Sequence, residues 1–391
     1  MILFVIAIVI RLILMMFTYH QDLSGQILSS HFFAFNGITN IYEYLVSLPV
    51  SHPLVRNFGV ADIFIYPPLS YFTLGSYLKL ISFIIPQQFY LDHMNGVVMH
   101  NLNAPFNLFW LKLPYLIVDL LLAFVLTKFF KDQKDKKKVF FFWMFNPVTL
   151  LVTYSMGVFD IIPVLCTVLA ALYAKRDRPL LAALMLGLGA SFKSYPLFLL
   201  PLLIVTLPGL VSKVKASLVG IAPFFLTILP FLASPAFKYM VFGAKSQKMF
   251  YMILPVSGAE GIFPYLLLFT LLLLVTSRFI PLKNIWKSFL IYFLILFSVT
   301  HYHPQWFLWL APFLVMEIVY SKLKNLYLIL GLLLCYLAIV VTFDRSLSSN
   351  LLAVTFPDIE KFPGIDKLLA TKTDLNMFRS SIRSIFAGLS L

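Results

Sequence analysis

The chain has 391 residues, of which 61% are hydrophobic and only 12% are charged. Soluble domains are usually about half apolar, so this composition excludes an ordinary soluble protein and indicates an integral membrane protein. The formal net charge of +14 does not predict a nucleic-acid partner, because the lysines and arginines cluster in short loops between apolar stretches.

These basic loops recur at intervals of one or two apolar stretches. They are KDQKDKKK at 131–138, KRDR at 175–178, KVK at 213–215, RFIPLKNIWK at 278–287 and KLK at 322–324. Lysine and arginine concentrate in the cytoplasmic loops of membrane proteins. The pattern therefore predicts that these loops share the cytoplasmic side and that the N-terminus lies on that side too.

The apolar stretches predict membrane-crossing helices, since about 20 helical residues cross a hydrocarbon core roughly 30 Å thick. The sequence lacks strand-like alternation, so the predicted fold class is all-α, a polytopic bundle of about eleven transmembrane helices. The predicted crossings are 1–19, 107–130, 139–156, 159–174, 179–193, 195–209, 217–233, 261–277, 288–300, 306–320 and 326–343.

A long outer segment, 20–106, follows the first crossing. Its apolar part, 66–86, is interpreted as a re-entrant or interface-lying helix, because counting it as a crossing would place the lysine-rich loop at 131–138 outside. Residues 1–343 are thus predicted to form one transmembrane domain. Residues 344–391 form a more polar C-terminal tail.

Titratable residues collect on the predicted outer side. All seven histidines fall there: His20, His31, His52, His93, His100, His301 and His303. Asp22, Asp62 and Asp160 join them, and Lys193 lies at an outer turn. Ionisable groups near membrane depth are costly, so they mark a functional site or a paired charge. A site on the non-cytoplasmic face is therefore predicted.

Two aspartates leave alternatives open. Asp160 follows Gly157 at a tight turn, where its side chain could cap the next helix or belong to the site. Asp119 lies deeper, in LIVDLLL, and could pair with Lys112 two turns earlier or with a partner helix.

Five sequence motifs in order carry a resemblance to a known family. They are ADIFIYPPLSYF, LKLPYLIVDLLLAFVL, FNPVTLLVTYSMGVFDIIPVL, GLGASFKSYPLFLLP and HYHPQWFLWLAPF. Together they resemble the GT-C superfamily of membrane glycosyltransferases, and most closely its polyprenyl-phosphate-sugar-dependent mannosyl- and glucosyltransferases. The resemblance covers about residues 1–320, and Val158 stands where the family more often has a polar residue.

The resemblance implies an inverting transfer of a hexose from a polyprenyl-phosphate donor to a hydroxyl of a glycan, lipid or protein acceptor. The general base would be Asp22 or Asp62, and Lys193, His301 and His303 would bind the donor phosphate. The substrate cavity would be formed by Asp160, Tyr66, Tyr195, Gln305 and His31. The membrane would be a bacterial or archaeal plasma membrane or that of the endoplasmic reticulum.

Other interpretations remain open from the sequence. His301, His303 and Asp22 could supply metal ligands, but spacing fixes no complete set, so no metal or other cofactor is predicted. The aromatic side chains of Tyr66, Tyr195, Trp306 and Trp309 could stack on a sugar ring, or they could anchor the chain at the membrane interface. The rival functions are a lipid or solute transporter or flippase, and a non-catalytic membrane subunit.

Overall fold

The computed structural model describes residues 2–59, 63–243 and 249–391, and this part of the chain is almost entirely helical. The α-helices in chain order are α1 (Ile2–Phe17), α2 (Gln21–Asn36), α3 (Ile41–Ser47), α4 (Pro53–Phe58), α5 (Leu69–Leu80), α6 (Gln87–Asn95), α7 (Ala104–Thr127), α8 (Gln133–Met144), α9 (Ile161–Lys175), α10 (Pro179–Phe192), α11 (Leu200–Val205), α12 (Gly209–Ile228), α13 (Pro235–Phe242), α14 (Pro264–Phe279), α15 (Ile285–Val299), α16 (Ala311–Tyr320), α17 (Leu326–Phe343), α18 (Ile365–Ala370) and α19 (Leu375–Ser390).

Short irregular elements join these helices. A π-helix spans Leu150–Met156 and 3-10 turns span Tyr195–Leu199 and Pro304–Trp309. Strands β1 (Leu254–Ser257) and β2 (Glu260–Ile262) form one antiparallel hairpin. The predicted all-α fold class is confirmed at this level.

Five helical stretches in the described ranges are long and apolar enough to cross a membrane: Ala104–Thr127, Gln133–Met156, Gly209–Phe231, Leu282–Val299 and Leu326–Phe343. Helices α1 and α2 make a sixth only as a pair, and they are bent by 75°. The protein is therefore a helical, membrane-embedded protein, as predicted. The count of eleven crossings stays a prediction, because α9, α10, α14 and the Tyr195–Val205 stretch are shorter.

Contacts between loops place four of the five basic segments at one end of the bundle, whereas the fifth, KVK at 213–215, lies within α12. Lys175 Nζ donates to the carbonyl oxygen of Phe129 and, at 2.8 Å, to the hydroxyl of Tyr320. Asp177 and Lys283 form an exposed ion pair at 2.9 Å. The loops after α7, α9, α14 and α16 therefore meet at one end, which we call the basic end.

The opposite end carries the bend between α1 and α2. There the amide of Tyr19 donates to Leu351 at 2.9 Å, and Thr355 Oγ1 donates to Phe17 at 2.8 Å. Within the predicted outer segment, α5 packs against α2, where a Cβ on Gly75 would lie 2.7 Å from the carbonyl oxygen of Ser30. Helix α5 has 12 residues, about 18 Å of rise, which is too short to cross the core.

The predicted tail packs closely against the helices before it. Phe386 of α19 is fully buried, and Arg379 donates to the carbonyl oxygen of Phe343 at 2.8 Å. Arg383 donates to the carbonyl oxygen of Thr300 at 3.3 Å. No break in packing marks residue 343 in the described chain, so the boundary there stays a prediction from composition.

A buried ion pair lies inside the bundle. Asp119 accepts from Arg11 Nε at 2.8 Å, from Tyr154 at 2.5 Å and from Trp143 Nε1 at 2.7 Å. The pairing with a partner helix is thus correct, and the alternative pairing with Lys112 is wrong. Lys112 instead donates to the carbonyl oxygens of Thr18 and Tyr154, at 2.7 and 2.8 Å.

Candidate functional site

The turn that presents Asp160 begins at the end of the π-helix. Gly157 has φ +75°, and its amide donates to Val152, so the chain reverses direction there. A Cβ at this position would also lie 2.6 Å from Lys112 Cε. Positive φ and close packing both favour glycine, and the reversal brings Asp160 to the first turn of α9.

The side chain of Asp160 does not cap α9, so the capping hypothesis is wrong. Its carboxylate accepts two bonds from Lys193 Nζ, at 2.8 and 3.0 Å, and one from Trp309 Nε1 at 2.7 Å. Asp160 is fully buried and the Lys193 side chain is 8% exposed. A buried carboxylate is costly unless it is paired, and these three bonds satisfy that requirement.

Lys193 follows the C-terminus of α10 and is enclosed by aromatic rings. Its Nζ lies 4.9 Å from the ring centre of Tyr66 and 5.3 Å from that of Trp309. Both distances are typical of cation–π contacts. The resemblance predicted that Lys193 binds the donor phosphate and that Asp160 lines the cavity. In the structure the two side chains form one ion pair, so their charges largely cancel.

Tyr66 connects this pair to Asp22. Burial raises the pKa of Tyr66 well above its usual value, and the charges of Asp22 and Asp160 raise it further, against a hydrogen bond from the Gln305 side chain. The Tyr66 ring also packs edge-on against Phe159 at 4.9 Å. The phenol is therefore neutral at physiological pH and lies within the field of both carboxylates.

Aromatic side chains form one wall of the site. Tyr195 and Trp309 stack at 4.1 Å with an interplanar angle of 10°, and Trp306 stacks on Trp309 at 5.1 Å. Tyr195 and Trp309 are each only 4% exposed. These two rings therefore pack inside the protein and do not serve as anchors exposed at the membrane interface.

Asp22 lies in the first turn of α2, beside a cavity of about 120 Å³. The cavity is lined by Gln21, Asp22, Gly25, Asn57, Phe58 and Ile63. The Asp22 side chain is 30% exposed, and the Nδ1 atom of His20 lies 3.7 Å from its carboxylate. His20 Nδ1 also accepts the amide of Asp22 at 3.1 Å, which holds this turn of the helix. The other predicted base, Asp62, lies outside the described residues.

The predicted histidines lie in different surroundings. His301 is exposed, and the ring of His303 lies 5.0 Å from that of Phe343. His31 is buried farther along α2, stacked on Tyr90 at 4.5 Å, so the structure places it in an aromatic cluster. Within the described ranges, no three His, Cys, Asp or Glu side chains lie close enough together to hold a metal ion.

Sequence reasoning missed two residues of α2 that border the site. A Cβ on Gly25 would lie 2.4 Å from the carbonyl oxygen of Ile63, so glycine permits the close approach of these two segments. The Oε1 atom of Gln26 accepts from the amide of Phe159 at 3.3 Å. Their spacing from Asp22 on a helix was the signal that could have identified them, since residues three and four apart share a face.

Comparisons of the chain with protein-family models, with characterised proteins and with solved structures find no match. The resemblance to GT-C enzymes therefore remains a prediction from the five motifs.

Proposed function

We propose that the protein is an integral membrane glycosyltransferase of the GT-C type, which transfers a hexose, mannose or glucose, from a polyprenyl-phosphate donor to an acceptor hydroxyl. The single observation that carries the proposal is the position of Asp22. Its carboxylate is partly exposed at a polar cavity, and Tyr66 separates it from the buried pair of Asp160 and Lys193. A carboxylate accessible to a substrate hydroxyl is what proton abstraction requires.

The proposed reaction is a single displacement. The acceptor oxygen attacks the anomeric carbon while its proton moves to Asp22, and the bond between that carbon and the phosphate oxygen breaks. The polyprenyl phosphate leaves with the bonding electrons, so the product has inverted configuration. One base suffices for this step, and Asp62 is the alternative base in the proposal.

The leaving phosphate needs positive charge or hydrogen-bond donors near it. Lys193, His301 and His303 have this role in the proposal. Because Asp160 offsets most of the charge of Lys193, the imidazoles carry a larger share of the stabilisation. The chemistry takes place at the end opposite the basic loops, which the positive-inside rule makes the non-cytoplasmic face of a multi-pass protein.

The test uses the purified protein in lipid nanodiscs with a panel of polyprenyl-phosphate sugars and hydroxyl acceptors. With the donor that supports transfer, Asp22→Asn is expected to lower kcat about 100- to 10,000-fold, since a general base contributes about that factor. Asp62→Asn is measured beside it to separate the two candidate bases.

Asp92→Asn is the matched control. Asp92 is a buried aspartate of α6 whose carboxylate is held by Gln88 and Asn101, away from the cavity lining. Its substitution is expected to leave kcat within about threefold. Unchanged transfer in both Asp22→Asn and Asp62→Asn would refute the assigned base, and no transfer with any donor would favour a transporter or a non-catalytic subunit.

A further inference from the structure

A polar stripe extends from the cavity along one face of α2. It consists of Asp22, Gly25, Gln26 and Ser29, whose spacing of three, four and seven residues places them on one side of the helix. Asp22 and Gly25 line the cavity. Gln26 is 1% exposed and Ser29 is fully buried. The cavity lining is therefore continuous with buried polar side chains.

The amide of Gln26 has a fixed orientation. Its Oε1 accepts the backbone N–H of Phe159, so the oxygen must face Phe159 and the NH₂ group must face away. That nitrogen is buried and has no hydrogen-bond partner among the residues the structure describes. Gln26 thus offers two unused donors next to the turn that carries Asp160.

Gln305 offers the complementary group. Its side-chain amide hydrogen-bonds the Tyr66 hydroxyl, and its carbonyl Oε1 is buried without a partner in the described part of the chain. Tyr66 packs against Phe159, so the residues that the two glutamines contact are in contact with each other. One glutamine therefore presents free donors and the other a free acceptor.

Buried polar atoms without partners destabilise a fold, by about 1–3 kcal/mol each. Such atoms occur elsewhere too, for example Asn107 Nδ2, so burial alone does not mark a site. Gln26 differs from Asn107 because it shares the helix face of the cavity, and Gln305 differs because it bonds Tyr66, which lies in the field of Asp22 and Asp160. A hydroxyl group, which donates and accepts, matches this pair of unused groups.

We infer that Gln26 and Gln305 recognise hydroxyl groups of the transferred sugar ring next to the turn that carries Asp160. This inference rests on the proposed function and names the sugar as the ligand of these two amides. Ser29 Oγ, buried and unpartnered among the described residues on the same stripe, extends the hydrogen-bonding surface.

The test measures kcat and KM for the short-chain polyprenyl-phosphate hexose that supports transfer, together with its monodeoxy analogues. Gln26→Leu and Gln305→Leu are each expected to raise KM about 3- to 10-fold with kcat within about twofold, the loss of one or two neutral hydrogen bonds. A deoxy donor that lacks the hydroxyl bound by one glutamine should have a higher KM than the parent donor with the wild type. With the variant that lacks that glutamine, the deoxy and parent donors should have the same KM.

Two further variants test whether misfolding explains a rise in KM. Gln26→Glu keeps an acceptor for Phe159 but replaces the NH₂ donors with a carboxylate oxygen and adds a negative charge, so it should raise KM at least as much as Gln26→Leu. Asn107→Leu removes an equally buried amide on α7 and should leave KM unchanged. Unchanged KM in Gln26→Leu and Gln305→Leu, or an equal increase in Asn107→Leu, would overturn the inference.

Failure of the proposed function has a different signature. If no donor supports transfer, Kd for short-chain polyprenyl-phosphate mannose and polyprenyl-phosphate glucose is measured by titration calorimetry on the wild type and on the Gln26 and Gln305 variants. Binding that the variants weaken would support the sugar site without the enzyme activity. Binding that no variant weakens, or no measurable binding, would refute the site.

Discussion

Two buried carboxylates in this protein are held in nearly the same way. Asp119 accepts from Arg11 at 2.8 Å and from the indole of Trp143 at 2.7 Å. Asp160 accepts from Lys193 at 2.8 Å and from the indole of Trp309 at 2.7 Å. Local chemistry therefore does not distinguish a structural pair from a pair at a functional site.

Their surroundings differ. Around Asp119, the partners Arg11, Trp143 and Tyr154 join three helical segments. Around Asp160, Tyr66 lies in the field of both Asp160 and the partly exposed carboxylate of Asp22. Gln26 accepts a hydrogen bond from Phe159, the residue next to Asp160. The Asp119 pair therefore stabilises the fold, and in the proposed function the Asp160 pair would also position the substrate.

Removing one charge from each pair has the largest expected effect. Arg11→Met and Lys193→Met each leave a buried carboxylate without its cation, which typically costs about 3–5 kcal/mol. Both variants should unfold at lower temperature in detergent. The double neutral variants, Arg11→Met with Asp119→Asn and Lys193→Met with Asp160→Asn, should recover much of that stability.

Transfer activity then separates the two pairs. The neutral Arg11/Asp119 variant should regain transfer along with stability, whereas the neutral Lys193/Asp160 variant should regain stability alone. Recovery of full activity in both double variants would show that Asp160 and Lys193 have only a structural role.

Substituting the two tryptophans that donate to these carboxylates has the next largest expected effect on stability. Trp143→Phe and Trp309→Phe each remove a hydrogen bond to a charged group, with an expected loss of about 1.5–3 kcal/mol in the free energy of unfolding. Only Trp309→Phe should also raise KM for the donor, because Trp309 covers Lys193 and stacks on Tyr195. Equal effects of the two variants on KM would contradict this distinction.

Gly157→Ala has the smallest expected effect and acts between the two regions. The positive φ disfavours a Cβ by about 1–2 kcal/mol, and the Lys112 side chain must also shift. The free energy of unfolding should fall by about that amount, and KM should rise because the turn carries Phe159 and Asp160.

Gly388→Ala in α19 is the control, because no atom lies within 4 Å of the new Cβ. It should change the unfolding temperature and the transfer activity very little. A rise in KM from this control equal to that of Gly157→Ala would remove the link between the turn and the site.

Parts of the candidate site could be predicted from sequence because they depend on residue type and position along the chain. Asp160 and Lys193 stood out as charges in apolar surroundings, and they do meet. His31 was also predicted to line the cavity, and the structure places it in a buried aromatic cluster, stacked on Tyr90. Gln26 was missed because an uncharged amide in a moderately polar stretch gives no compositional signal.

The sequence by itself determined the membrane environment and the helical fold, and it located the basic segments along the chain. These are additive, local properties, since the length of an apolar run and the charge of a loop do not depend on distant partners. Only the tertiary structure decided the partners: Arg11 for Asp119, 108 residues away, and Lys193 for Asp160, 33 residues away. Such contacts depend on how the helices pack and rotate against one another, which hydrophobic length and periodicity leave unspecified.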